Sequence, residues 1–274
     1  MIETGAFGHL ELDWVEGGVA TVTMRRPEKR NALSLEVMRA MTLAFERIGA
    51  DADTGAVILR AEGPVFSAGH DLREILACDA EAHRETFDAC VRLMETMQRI
   101  RQPIVAEVGG IATAAGCQLV ATCDLAIAST VAKFATPGVR IGLFCTTPMV
   151  ALTRAIGRKR AMEMLLTGEA IDAATAADWG LVNRVVAPGQ LSAEAMALAQ
   201  KIVEAAPTTV GLGKAAFYAQ IDVPQRDAYA YAAGVMSANA RSSDAQEGMT
   251  AFVEKRVPVW SAFDEGEPIP DAKV

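Results

Sequence analysis

Two loops of small residues carry the clearest chemical signal in the chain. The first reads Gly63-Pro64-Val65-Phe66-Ser67-Ala68-Gly69-His70-Asp71-Leu72, and the second Gly109-Gly110-Ile111-Ala112-Thr113-Ala114-Ala115-Gly116-Cys117-Gln118-Leu119. Each follows an apolar, strand-like run and leads into a helical one. Loops of Gly and Ala let a ligand approach the main chain closely. Unpaired N–H groups at a helix start point toward negative charge, and two of them converging on one oxygen make an oxyanion hole. Acid–base groups are sparse around these loops. His70 titrates near neutrality; it reads either as a pocket group or as a loop histidine bonded to the backbone. Gln118 exchanges no proton near neutral pH, so it orients a water, holds a substrate, or lies on a helix surface. Asp71 reads as the N-cap of the next helix.

The elements that must position these loops follow from hydrophobic periodicity. Leu10-Glu11-Leu12-Asp13-Trp14-Val15 and Val19-Ala20-Thr21-Val22-Thr23-Met24 alternate around Glu16-Gly17-Gly18, a hairpin signal. Ser34 is placed to cap a helix over residues 35–48. Strands are expected at 56–61, 104–108, 124–128 and 133–135, with helices at 79–99 and 115–121. From residue 192 onward the pattern is almost wholly helical: 192–205, 208–220, 224–239 and 243–255, punctuated by Pro207, Pro224 and Pro258. Recurring strand, loop and helix argue an α/β architecture. The expected division is a core over residues 1–191 and a helical region over 192–274, with the last ten residues a loose tail.

Composition bounds the function. The 274 residues are 51% hydrophobic and 22% charged, an ordinary globular mixture. A net charge of -8 argues against a nucleic-acid partner. Five cysteines without a Cys-x-x-Cys pair, and three histidines without metal-ligand spacing, read as reduced thiols and no metal site. No apolar run is long enough to span a bilayer. Met1-Ile2-Glu3-Thr4-Gly5 carries neither an apolar signal region nor an arginine-rich stretch, so a cytoplasmic protein is expected.

Six motifs in order resemble the crotonase superfamily of acyl-CoA enzymes, also called the enoyl-CoA hydratase/isomerase superfamily. They are Phe66-Ser67-Ala68-Gly69-His70-Asp71-Leu72; Ala114-Ala115-Gly116-Cys117-Gln118-Leu119 with Cys123-Asp124; Phe134-Ala135-Thr136-Pro137-Gly138-Val139-Arg140-Ile141-Gly142; Arg154-Ala155-Ile156-Gly157; Leu166-Thr167-Gly168; and Ala177-Asp178-Trp179-Gly180-Leu181-Val182. Ala61-Glu62-Gly63-Pro64-Val65-Phe66, Gly142-Leu143-Phe144-Cys145 and the Gln246-Glu247-Gly248 to Trp260 stretch resemble one branch of it. The resemblance spans residues 10–260. It implies a spiral of ββα units with a helical C-terminal trimerisation region, and a homotrimer or a hexamer built as a dimer of trimers. It also implies acyl-CoA thioester substrates in fatty-acid metabolism, with coenzyme A part of the substrate and no covalently bound cofactor.

By the same resemblance, Ala68 and Ala115 supply the two N–H groups that stabilise a thioester enolate. Gly69, Asp71, Leu72, Gly116, Gly138, Leu143 and Cys145 surround the substrate, and Lys29, Arg30, Ala32 and Arg73 fit where the coenzyme's nucleotide and phosphates are held. Lys255 and Arg256 could add charge from a neighbouring subunit. Typical hydratases of the superfamily carry Glu at the positions of Gln118 and Gly138, so the usual acid–base pair is missing. The Ser-Ala-Gly-His-Asp run is also similar to methylmalonyl-CoA decarboxylases, which need no strong base, although they place a Tyr where Cys145 stands. A binder without turnover is the remaining reading. Cys145 is either a pocket wall or an apolar filler, and Arg140 either meets an anionic acyl group or is exposed.

Overall fold

The computed structural model describes residues 9–15 and 17–261. The first five residues, Glu16 of the hairpin turn and the C-terminal tail of the sequence analysis lie outside that range. A hairpin of β1 (Leu10–Val15) and β2 (Val19–Met24) opens the chain in antiparallel register, Leu10 opposite Met24. β2 then pairs in parallel with β3 (Ala56–Ala61). Every residue of β2 is buried, as expected of a strand covered on both faces.

From β3 onward each turn of chain gives one strand to each of two sheets. The larger sheet runs β1-β2-β3-β5-β7-β10, with β5 at Ile104–Val108, β7 at Leu125–Ser129 and β10 at Arg184–Val186. The smaller runs β4-β6-β8-β9, with β4 at Val65–Ser67, β6 at Ile111–Thr113, β8 at Lys133–Ala135 and β9 at Ile171–Asp172. This is the ββα spiral that the resemblance implied. Both small-residue loops therefore contain a short strand that the sequence did not reveal. Three residues are too few to show a period of two.

Helices close the spiral. α1 (Leu35–Ala50) starts where Ser34 accepts a hydrogen bond from Val37 N–H at 3.3 Å, the expected cap. It buries Met38, Met41, Phe45 and Ile48, each worth about 1.5–3 kcal/mol on removal from water. α2 (Leu72–Ala77) is short, and α3 (Ala80–Arg99), capped by Asp79, packs along α1 through Cys90, Leu93, Met94 and Met97. α4 (Ala115–Thr122) is buried almost throughout. α5 (Thr146–Ile156), α6 (Arg158–Thr167) and α7 (Ala173–Trp179) complete the second half of the spiral.

The helices expected after residue 192 are all present: α8 (Leu191–Val203), α9 (Pro207–Gln220), α10 (Gln225–Asn239) and α11 (Ser243–Glu254). α8 lays Leu191, Ala195 and Ala199 on the larger sheet against Val19, Ile58, Val105 and Ile127, so it belongs to the core's packing. α9 is fastened by Lys214, whose side chain is 5% exposed. Its Nζ donates to the carbonyls of Met97 and Gln102 and sits 2.8 Å from Asp124 Oδ2. Asp124 also accepts from Tyr218 OH and Ile104 N–H. No helix among the described residues is long and apolar enough to cross a membrane.

Candidate functional site

β4 and β6 pair in parallel, Val65 opposite Ile111, so the segments leaving their C-terminal ends emerge side by side. Thr113 Oγ1 donates to the Ala68 carbonyl at 3.1 Å and ties the two loops together. Asn31, buried at φ 48°, braces the first loop by donating to the carbonyls of Glu62 and Val65, while its side-chain oxygen accepts from Arg26 N–H. Gly69 has φ +83°. A Cβ there would stand 2.9 Å from Ala114 Cβ and 3.0 Å from Ala115 N, so only glycine lets the loops meet. Gly116 is packed against the Ser67 main chain and serves the same closure, away from the cavity wall.

The hydrogen bonds correct the first oxyanion donor. Ala68 N–H donates to the Arg30 carbonyl at 3.0 Å, so it is not the free group that the resemblance implied. Gly69 N–H goes to Ser67 Oγ at 3.2 Å and Asp71 N–H to the Leu33 carbonyl at 3.3 Å. Among the described residues His70 N–H alone in this stretch has no acceptor. In the second loop Ala115 N–H opens α4, and no described residue accepts it. Such a group at a helix start carries partial positive charge.

Beside these amides lies a cavity of about 500 Å³. Ala68, His70, Leu72, Ala115, Gly138, Leu143 and Cys145 line it, as the sequence proposed. Phe87 of α3, Ala114, Pro137, Ile141, Phe144 and the first turn of α5 complete the wall. Sequence reasoning missed Phe87, since one aromatic on a helix face carries no mark of a pocket. Among the described residues no carboxylate lines the cavity.

His70 brings an imidazole to the cavity wall. Its ring stands edge-on to Phe87 at 5.4 Å, and neither ring nitrogen has a partner in hydrogen-bond geometry among the described residues. Burial pulls the imidazole below its ordinary pKa, opposed by the Leu33 main chain nearby, so the ring is neutral at pH 7. Cys145 is buried with its thiol pushed up by desolvation, partly offset by the Gly138 main chain. Arg140 lines the cavity too, but its Nε donates to the Thr167 carbonyl at 2.9 Å and its guanidinium lies 3.9 Å from Glu169.

Several expected residues stand elsewhere. Gln118 is 5% exposed, accepts from the Cys90 thiol at 3.8 Å and is absent from the cavity wall, because its helix face turns toward α3. Asp71 caps α2 by accepting from Arg73 N–H. Lys29, Arg30 and Arg73 are exposed and Ala32 half-buried, all outside the cavity. They nevertheless border it: residues 30–33 run beside 68–71 through the Arg30–Ala68 and Leu33–Gly69 main-chain bonds. Arg256 is engaged by Glu247 and Glu254. Gly138 has no room for a side chain. A Cβ there would collide with the Leu143 carbonyl oxygen and stand 2.8 Å from Cys145 Sγ.

Comparison with known proteins shows the family. The family model for enoyl-CoA hydratase/isomerase matches residues 15–263. The mouse protein named enoyl-CoA hydratase domain-containing protein 3, mitochondrial, is 46% identical over 90% of this chain and 82% of its own length. That is the branch suggested by residues 61–66, 142–145 and 246–260. The crystal structure of the human protein of that name superimposes with a TM-score of 0.89 at 43% identity, covering 92% of this chain and all of that one. An enoyl-CoA hydratase structure from Mycobacterium smegmatis gives 0.90 at 48% identity, over 92% and 98% of the two chains. The mitochondrial names of the mouse, rat, frog and human relatives overturn the cytoplasmic expectation, which rested only on signals not found in the sequence. Family model, relatives and fold agree, and the chain belongs to the enoyl-CoA hydratase/isomerase family.

Proposed function

We propose that the cavity binds an acyl-CoA thioester, with the thioester oxygen held by His70 N–H and Ala115 N–H. The observation that carries this reading is the pair of unspent amides on two interlocked loops at the mouth of a largely apolar cavity. Hydrogen bonds from preorganised main-chain donors strengthen as the oxygen gains enolate charge, which is what lowers a barrier. Coenzyme A enters as part of the substrate, and the exposed Lys29, Arg30 and Arg73 border the cavity where its phosphates need cations. The reading requires no further cofactor.

Hydration by a glutamate pair does not fit this wall. Water addition needs one group to activate the water and another to protonate the α-carbon. Gln118 faces Cys90, and the Leu143 carbonyl fills the space beside Gly138. A second reading is favoured by the unpaired His70 ring: decarboxylation of a carboxyacyl-CoA. There the bond from the α-carbon to the carboxylate breaks, its electron pair becomes the thioester enolate, carbon dioxide leaves, and the α-carbon takes a proton from water. Self-association belongs to the same proposal. Phe217, Tyr229, Met236, Phe252 and Val253 of α9–α11 expose 50–85% of their surface, apolar area that a trimer would cover.

Titration calorimetry with coenzyme A, butyryl-CoA and crotonyl-CoA tests the binding site; a protein that takes up none of them refutes it. Mass spectrometry of crotonyl-CoA and methylmalonyl-CoA incubations then separates the chemistries. Carbon dioxide loss abolished in His70→Ala supports the decarboxylase. Fast hydration refutes the account of the missing glutamates. Tight binding without either product identifies a binder.

A further inference from the structure

The turn that aims the second amide is built on an alanine held in a glycine conformation. Ala114 has φ 51° and ψ −120°, a region that a residue with a Cβ enters only under strain. It is clamped from both sides. Its N–H donates to the Ala135 carbonyl at 2.9 Å, continuing the ladder between β6 and β8. Its carbonyl accepts from Gln118 N–H at 3.0 Å, the first hydrogen bond of α4. Strand thus becomes helix within one residue, and the amide that follows, Ala115 N–H, is the one left without an acceptor. The Ala114 methyl also lines the cavity, in the seam where Gly69 of the other loop makes its closest approach.

We infer that Ala114 is a positioning residue for the thioester: its clamped conformation fixes the direction of Ala115 N–H, and its methyl closes the seam so that the thioester oxygen seats on both amides. This role rests on the acyl-CoA reading above. A purely structural turn would have no need of a methyl group here, because glycine adopts these angles without strain.

Ala114→Gly separates the two roles. Glycine removes the strain and keeps both clamping bonds, so the variant is expected to fold with a melting midpoint no lower than wild type. What it removes is the methyl that closes the seam, so that the thioester oxygen no longer seats squarely on both amides. The readout is a ratio of dissociation constants measured by calorimetry: S-butyl-CoA, a thioether with no carbonyl oxygen, over butyryl-CoA, the thioester. Two well-aimed hydrogen bonds make the wild-type ratio about tenfold or more, and the variant is expected to bring it to about threefold or less. Affinity for the thioether is expected to stay unchanged. A wild-type ratio of about tenfold that survives in Ala114→Gly overturns the positioning role and leaves the acyl-CoA reading intact. Equal weakening of both ligands with a lowered midpoint also overturns it, in favour of a structural turn. A wild-type ratio near one refutes the two-amide reading itself, and the positioning role with it.

Discussion

Placing a side chain at Gly138 is expected to destabilise the protein without restoring hydration. The Cβ of Gly138→Ala would collide with the Leu143 carbonyl oxygen and press on Cys145 Sγ at 2.8 Å. A thiol at the end of a side chain can turn aside, but a main-chain carbonyl moves only with its turn. That turn is itself pinned by the Leu143 N–H to Gly138 carbonyl bond of 3.0 Å. Overpacking of this kind costs about 1–3 kcal/mol, and giving up the pinning bond adds about 1 kcal/mol. The sum is about 2–4 kcal/mol, a fall in melting midpoint of roughly 4–7 °C for a chain of this size. Urea unfolding monitored by tryptophan fluorescence, at unchanged m, measures it. Gly138→Glu with Gln118→Glu adds both carboxylates yet is expected to leave crotonyl-CoA hydration at background, because the strained turn cannot present the second one. A Gly138→Ala variant within about 0.5 kcal/mol of wild type would refute this packing account.

Three further outcomes follow from the described contacts. Lys214→Met leaves the half-buried Asp124 carboxylate without its cation, though still bonded to Tyr218 OH and Ile104 N–H, and is expected to cost about 2–4 kcal/mol in urea unfolding; a loss under about 1 kcal/mol would mean that the cluster does not fasten α9. His70 is held below its ordinary pKa chiefly by burial. Unfolded chains therefore take up its proton first, near pH 6.5, and stability that is complete above that pH is lost as the pH falls below it. His70→Gln is expected to shrink the gap between urea midpoints at pH 7.5 and pH 5.5, and an unchanged gap would contradict the shift. Burial pushes the Cys90 and Cys117 thiols up to about 12 and raises Cys123 and Cys145 as well. Cys78, half-buried, is then expected to be the one thiol that labels rapidly at pH 7.5, with all five reacting in urea; several fast thiols in the folded protein would refute it.

The sequence made some of this legible and hid the rest for identifiable reasons. Long amphipathic helices such as α1 and α3 and the fully apolar strands announce themselves by period, and α1 also by its cap at Ser34. The cavity's loops were legible as small-residue motifs. Which amide each loop leaves free was not, because it depends on a carbonyl contributed from far along the chain: Arg30 takes Ala68 N–H, and His70 N–H is the one left without a described acceptor. Gln118 looked chemical by position, yet its partner Cys90 lies on another helix. Gly138 gave no hint that a carbonyl five residues later occupies its missing side chain's place. The first two are tertiary contacts and the third a turn closed on itself, and no pattern of residue types encodes them.

The spiral's alternation between two sheets also sets when the cavity comes into being as the chain folds. His70, Ala115 and Cys145 enter it from three successive turns, each brought to its neighbour only by strand pairing between distant segments. Such pairings close large loops and form late in a folding reaction. A refolding chain can regain most of its helix signal from α1, α3 and α8–α11 before the two loops meet. The cavity, unlike the helices, is therefore complete only once α5 has been synthesised and docked.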